Sequence, residues 1–317
     1  LALGYSSADE IRSEIRAVRG LTDRSFGVNL FVLDTVVTDP ELASETIQVL
    51  EPFHRGLGLQ PPELPNSLAH SFDDQISVVL DERVPVFSFT FGIPNPEVLT
   101  ALRRAGTVVL GTATTVEEGR LLADSGVDAV VAQGAEAGGH RGTFLGDVDD
   151  ALLGLVALVP QMVDAVSVPV VTSGGIMDAR GIVAALALGA AGVQMGTAFL
   201  TARESGINAA YRQAVLQTAS DRTRLTRAFS GHPARGIQNR FMHEMAGYDA
   251  LIPPFPMQNA LTLALRQAAA EAGQSDFLSL WAGQAAALAV EHDAGEFVRS
   301  LAGECATLMI RLGDNHS

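Results

Sequence analysis

The chain has 317 residues, 47% of them apolar, and a formal net charge of −15; it has no lysine, so all 21 basic residues are arginine. That length allows one large domain, or a large one with an appendage, and the acidic balance excludes a polyanionic partner such as nucleic acid, which clustered Lys and Arg would have to meet. A single cysteine, Cys305, excludes an internal disulfide and any cysteine-ligated zinc or iron–sulfur centre, and the missing lysine excludes Schiff-base chemistry and a P-loop.

The N-terminus, LALGYSSADEIRSEIRAVRG, has neither a basic start nor a small-residue cleavage site, so it does not read as a signal peptide. No apolar run reaches the roughly 18 to 20 residues that a bilayer crossing takes, and the expectation is a soluble cytoplasmic protein without membrane contact. Residues 1–5 predict a strand. Residues 6–20 predict a helix with a serine cap, early acids, late arginines and a closing glycine. A strand follows at 26–32. The long connection 33–83 carries two helical patterns and a proline-rich elbow, LQPPELPNS. Strands at 84–92, 107–113 and 128–134 then alternate with helical patterns, TTVEEGRLLADSG among them. ALLGLVALVPQMVDAVSVPVV reads as a buried helix running into a strand at 169–175. The helix MDARGIVAALALGA and a strand at 192–200 complete the series.

Most of these strands are continuous apolar runs, as in a parallel sheet buried on both faces. Their C-terminal ends carry glycine or polar residues, on at least four different strands. That favours a (β/α)8 TIM barrel over an open doubly wound sheet, where such residues gather at one switch point. Seven strands are counted where a closed barrel needs eight. The expected α/β fold is therefore a TIM barrel that lacks its first strand in this chain, or one in which another segment fills the gap. The barrel domain is expected over 1–204, a helical cap or lid with a loop-rich middle over 205–275, and C-terminal helices returning to the barrel wall over 276–317. A lid would exclude water from a site at the strand ends.

Two successive strand ends, TSGGI (172–176) and QMGTAF (194–199), precede helices and expose backbone N–H groups, the arrangement of a phosphate cradle after strands 7 and 8 of a barrel. Tight βα turns alone would also use such glycines. With no lysine, no metal-ligand spacing and no strand-linked GxGxxG, the cradle points to a mononucleotide such as FMN. Asn29 and Gln133 end strands and offer amides to the polar edge of an isoalloxazine ring, or else cap local turns. The loop QGAEAGGHRG lets the backbone at Gly138 and Gly139 lie against a flat ring and places His140 over it as a candidate acid–base group. His54, His70, His292 and His316 read as surface residues. His232 and His243, in the lid segment, are candidates for substrate contact.

FGVN, DAVVAQGAEAGGHRGTF, VPVVTSGGIMDARG and GAAGVQMGTAFL resemble the nitronate monooxygenases, formerly 2-nitropropane dioxygenases. The likeness continues through TRAFSGHPARGIQNRF, PFPMQNALT and LWAGQ, and so covers nearly the whole chain. It implies an FMN-containing barrel with a helical second domain. Flavin contacts carry over to Asn29, Gln133, Gly138, Gly139, Gly175, Gln194, Met195, Gly196 and Thr197, with Ser173 and Gly174 beside the phosphate, and the catalytic role to His140. The implied reaction oxidises an alkyl nitronate with O2 to a carbonyl compound and nitrite, with no nicotinamide cofactor. In it His140 orients the nitronate, or removes the α-proton of a neutral nitroalkane. The family's opening strand, ending in a QAPM-like turn at the flavin site, has no counterpart in this chain. Flavin-dependent enoyl-ACP reductases, and relatives that reduce quinones with NADH, share the fold and a similar glycine-histidine loop. An NAD(P)H-linked reductase is thus the alternative, and a non-catalytic flavin-binding protein a second. A homodimer is left open beside a monomer.

Overall fold

A computed structural model describes residues 1–33, 39–64 and 70–314. Its strands are β1 (Gly27–Phe31), β2 (Val86–Thr90), β3 (Val108–Ala113), β4 (Ala129–Gln133), β5 (Gly139–His140), β6 (Val170–Ser173), β7 (Gly192–Gln194), β8 (Thr223–Thr226) and β9 (Ala234–Ile237). Helices α1 (Ala8–Leu21), α2 (Pro40–Gly56), α3 (Phe72–Asp81), α4 (Pro96–Arg104), α5 (Val116–Ser125), α6 (Leu155–Ala165) and α7 (Ala179–Ala187) accompany the parallel strands. The short α8 (Thr197–Leu200) and α9 (Ala209–Gln217) follow. Then come α10 (Arg240–Met245), α11 (Met257–Leu261), α12 (Leu263–Glu271) and the long α13 (Ala294–Asp314).

The main sheet is wholly parallel, in the order β1-β2-β3-β4-β6-β7, and curls into a half-barrel of TIM type with helices around it. Its outer face is apolar. Phe87 and Phe89 of β2 are fully buried in a core they share with Ile11 and Ile15 of α1, Val79 of α3 and Leu102 of α4. Each such ring contributes about 1.5–3 kcal/mol by leaving water. Continuous burial holds for β4, but β1 and β2 alternate. Their second face mixes Phe31 and Val86 with polar pairs: Asn29 Nδ2 donates to Ser88 Oγ at 3.0 Å, and Thr90 Oγ1 to Thr112 Oγ1 of β3 at 3.3 Å.

Residues 1–3 extend the sheet beyond β1, with Ala2 in parallel register with Asn29. Among the described residues no strand joins that edge to β7, and no other segment fills the gap. Helix starts follow local rules. Ser7 with Glu10 and Thr115 with Glu118 form capping boxes on α1 and α5.

The segment after residue 204 holds more than helices and loops. There β8 and β9 pair antiparallel, and β9 pairs in turn with β5, so the Gly139–His140 segment is itself a strand of a second, three-stranded sheet. A second core gathers Phe229, Phe241, Met245, Leu265 and Phe277, and it takes in Leu50 and Phe53 of α2, from the long early connection. The proline-rich elbow falls partly outside the described residues. The final helix, α13, lies along α7, where the half-buried Cys305 Sγ approaches the Ala179 carbonyl. No described helix is long and apolar enough to cross a membrane.

Candidate active site

At the C-terminal ends of β4, β6 and β7 a cavity of about 150 Å³ is lined by Gln133, Ala137, Gly138, residues 173–177, Gln194, Gly196, Thr197, Gly283 and Ala285. Gly174 (φ +123°) and Gly175 (φ +64°) hold backbone conformations that side chains resist, and a Cβ on Gly174 would come 2.9 Å from the Ala137 nitrogen. A Cβ on Gly196 would meet nothing within 4 Å. The N–H groups of Gly174, Gly175, Gly196 and Thr197 donate to no described residue. The start of α7 is not part of this set: Asp178 caps it, accepting from Arg180 N at 2.9 Å and Gly181 N at 3.4 Å. The cradle is therefore loop backbone, and no charged side chain lines it.

Beside the cradle, the histidine loop is fixed from several sides. Gln133, the last residue of β4, donates through Nε2 to the His140 carbonyl (3.0 Å) and accepts at Oε1 from Gly142 N (2.8 Å). Arg141 is fully buried, and its guanidinium donates to the carbonyls of Gly134 (2.6 Å), Gln133 (3.2 Å) and Ala151 (3.2 Å). Glu118, also fully buried, accepts from Phe144 N (2.6 Å) and Leu145 N (2.9 Å), and on its other oxygen from Thr114 and Thr115. Gly138 is glycine for a protein contact: a Cβ there would come within 2.5 Å of the Ala282–Gly283 backbone. Gly139, at φ +76°, has open space where a Cβ would sit.

The His140 ring lies among aromatic neighbours: Trp281 at 5.4 Å between centroids, Phe255 at 5.9 Å, Phe91 at 6.0 Å and His232 at 6.1 Å. Its Nε2 is 2.8 Å from Ser230 Oγ. Burial, helped by the nearby His232 and Arg266, pushes the His140 pKa down to about 3, so the imidazole is neutral at pH 7. Burial lowers His232 as well, against the bond of its Nε2 to the Arg141 carbonyl (2.8 Å). Arg266 donates to Asn259 O and Oδ1 and to Thr262 Oγ1, and forms no ion pair with a described residue. Burial lowers its pKa too. Phe91 holds φ +78° at the end of β2, a conformation worth about 1–3 kcal/mol of strain for such a side chain. It packs edge-on against His232 at 4.8 Å.

Gln133, Gly138, Ser173, Gly174, Gly175, Gln194, Gly196 and Thr197 thus line one cavity, with Gly139 and His140 on the adjoining loop. Asn29 stands apart. It lies in the middle of β1, not at its end, and its amide is engaged by Ser88. Met195 packs into a small apolar cluster with Ile176 and Val193. His54 is 1% exposed, not a surface residue, with Nδ1 on the Gln60 carbonyl at 2.9 Å. His292 is partly buried and stacks on Phe297. His232 joins the His140 cluster, whereas His243 is exposed on α10, and His316 lies outside the described residues. No local sequence pattern marks Ser230, Arg266, Phe91 or Trp281 as a site residue. Ser230 lies in the FSGHPARG stretch that carries part of the resemblance, but nothing local to Arg266 marks it.

Backbone donors and an imidazole gathered at the C-terminal ends of parallel barrel strands define a TIM-barrel-type enzyme. The family model described as nitronate monooxygenase matches residues 1–304. A probable nitronate monooxygenase of Staphylococcus haemolyticus is 43% identical over 311 residues, 98% of this chain and 87% of the relative. Among solved structures, the nitroalkane oxidase of Streptomyces ansochromogenes superposes with a TM-score of 0.92 at 42% identity, covering 98% of this chain and 89% of that one. FabK of Thermotoga maritima superposes with a TM-score of 0.75 at 28% identity over 99% and 87%. The chain belongs to the nitronate monooxygenase family of oxidoreductases.

Proposed function

We propose that the chain oxidises alkyl nitronates with O2 to a carbonyl compound and nitrite, with FMN as its cofactor, and that the enzyme is cytoplasmic. The observation that carries this reading is Gln133. It lines the glycine cradle and, through both ends of its amide, holds the loop that bears His140. One residue thereby ties an oxyanion site to a buried imidazole.

The cradle fits a phosphate: free N–H groups at 174–175 and 196–197, open space at Gly196, and no carboxylate in the lining. Gly138, Ser173, Gly174, Gly175, Gly196 and Thr197 would hold that end of FMN, with Gln133 and Gln194 beside it; Gly139 leaves room for the ring. Asn29 and Met195 would act through the packing under the site. Bound FMN supplies the oxidising ring. The protein supplies neutral His140 to orient the substrate or accept its α-proton. Because His140 carries no charge, Arg266 is the group placed to balance an anionic nitronate, and it has no described carboxylate to neutralise it. The aromatic side chains around His140 make its surroundings largely apolar, and residues 205–275 act as the lid.

The test is direct. Protein purified with FMN and mixed aerobically with propionate 3-nitronate should release nitrite and consume O2, with no requirement for NADH. Absence of nitrite, together with rapid loss of flavin absorbance on adding NADH anaerobically, would overturn the reading in favour of a reductase.

A further inference from the structure

Ser230 Oγ lies 2.8 Å from His140 Nε2, donates to the His232 carbonyl at 3.1 Å and accepts from His232 N at 3.4 Å. The residue is 2% exposed. A serine hydroxyl has one proton to give. Here the His232 carbonyl takes it, and that carbonyl receives no other hydrogen bond from a described residue. The hydroxyl is then an acceptor toward His140, so the imidazole must present Nε2–H. The opposite arrangement would spend the proton on Nε2 and leave the His232 carbonyl without a donor among the described residues. A neutral imidazole with its proton on Nε2 carries its lone pair on Nδ1. Nδ1 bonds to no described residue and is not among the fully buried atoms without a partner.

We infer that Ser230 is the positioning residue that sets the tautomer of His140, and that Nδ1 is the atom that takes the substrate's α-proton. This rests on the reading of His140 as the substrate-facing group. With a neutral nitroalkane, the α C–H bond breaks as a bond forms between that proton and Nδ1. The C–H electron pair stays on the substrate as the nitronate, and His140 becomes the imidazolium. A preformed nitronate needs no such step. The charged and titratable groups around the ring are His232 on the same second-sheet turn, Arg266 on α12 and Arg141 next in sequence. None of them is an acid that would favour the opposite tautomer.

The test has two arms. In wild-type protein labelled with 15N-histidine, NMR should show His140 protonated at Nε2 and bare at Nδ1. Ser230→Ala should lose that preference, and Ser230→Thr should keep it. In turnover, Ser230→Ala should lower the ratio of kcat on a neutral nitroalkane to kcat on its nitronate by tenfold or more, and Ser230→Thr should return it to within about threefold. A wild-type ring protonated at Nδ1, or equal losses on both substrates in Ser230→Ala, overturns the inference. If the wild type turns over neither substrate, the proposed function fails by itself, while the NMR arm still decides the tautomer.

Discussion

The imidazole of His140 couples the stability of the fold to pH. In the unfolded chain it titrates near 6.5, and in the fold burial holds it near 3. Between those values the unfolded state binds the extra proton, so stability is complete above about pH 6.5 and falls as the pH drops toward 3, by at most about 1.4 kcal/mol per pH unit. His232, lowered for the same reason, acts in the same direction. The substitution His140→Asn should therefore flatten the acid side of a stability profile measured by urea unfolding between pH 4 and 7. The same variant should bind FMN with an unchanged visible spectrum and lose roughly 10²- to 10⁴-fold in kcat on nitroalkanes, the range expected when a positioned general base is removed. Retained turnover would show that the imidazole is structural. The residue's place on a glycine loop at a strand end could be read from GGH. Its neutrality could not, because Trp281, Phe255 and Arg266 reach it from 115 or more positions away in sequence, distances no local pattern encodes.

Among the elements, α5 helps to hold the loop that bears His140. The capping box of Thr115 and Glu118 is legible in TTVEEG. What the pattern conceals is that Glu118 also gathers the N–H groups of Phe144 and Leu145, 26 and 27 positions further on. One buried carboxylate thus caps a helix and pins the loop just past His140. Glu118→Ala should cost about 3 kcal/mol or more, since it leaves several buried donors unpaired. The loss should appear as a lower Tm and as faster hydrogen exchange at the amides of Phe144 and Leu145. If the amides stay protected, the loop is held by Arg141 and Gln133 alone. The parallel strands were readable because apolar runs and punctuated helices alternate so regularly. The β8–β9 pair was not. Its strands are four residues each, and one of them, β9, is buried throughout without a period that marks it as a strand.

For the molecule as a whole, barrel and cradle were legible because successive strand ends repeat one grammar of apolar run, glycine and helix cap. The recruitment of α2 to the second core was not, since α2 leaves the early part of the chain to join a cluster built mostly from residues 215–286. FMN would touch the ends of three adjacent strands, β4, β6 and β7, and also Gly283 and Ala285 from the far end of the chain, so binding should stabilise the whole fold rather than one loop. At a hundredfold excess over its Kd, FMN should add about 2.7 kcal/mol, read as a rise in Tm that scales with FMN concentration and that riboflavin, lacking the phosphate, reproduces only weakly. An equal shift with riboflavin would remove the glycine cradle from the account.

The strand bearing the imidazole takes its backbone partners from β9, not from the parallel sheet. Changes in residues 223–281 would therefore alter the hold on His140 while the cradle residues of β4, β6 and β7 stay untouched. Grafting residues 223–281 from a relative onto this barrel should transplant the donor's hold on the imidazole, and substrate range should travel with the graft.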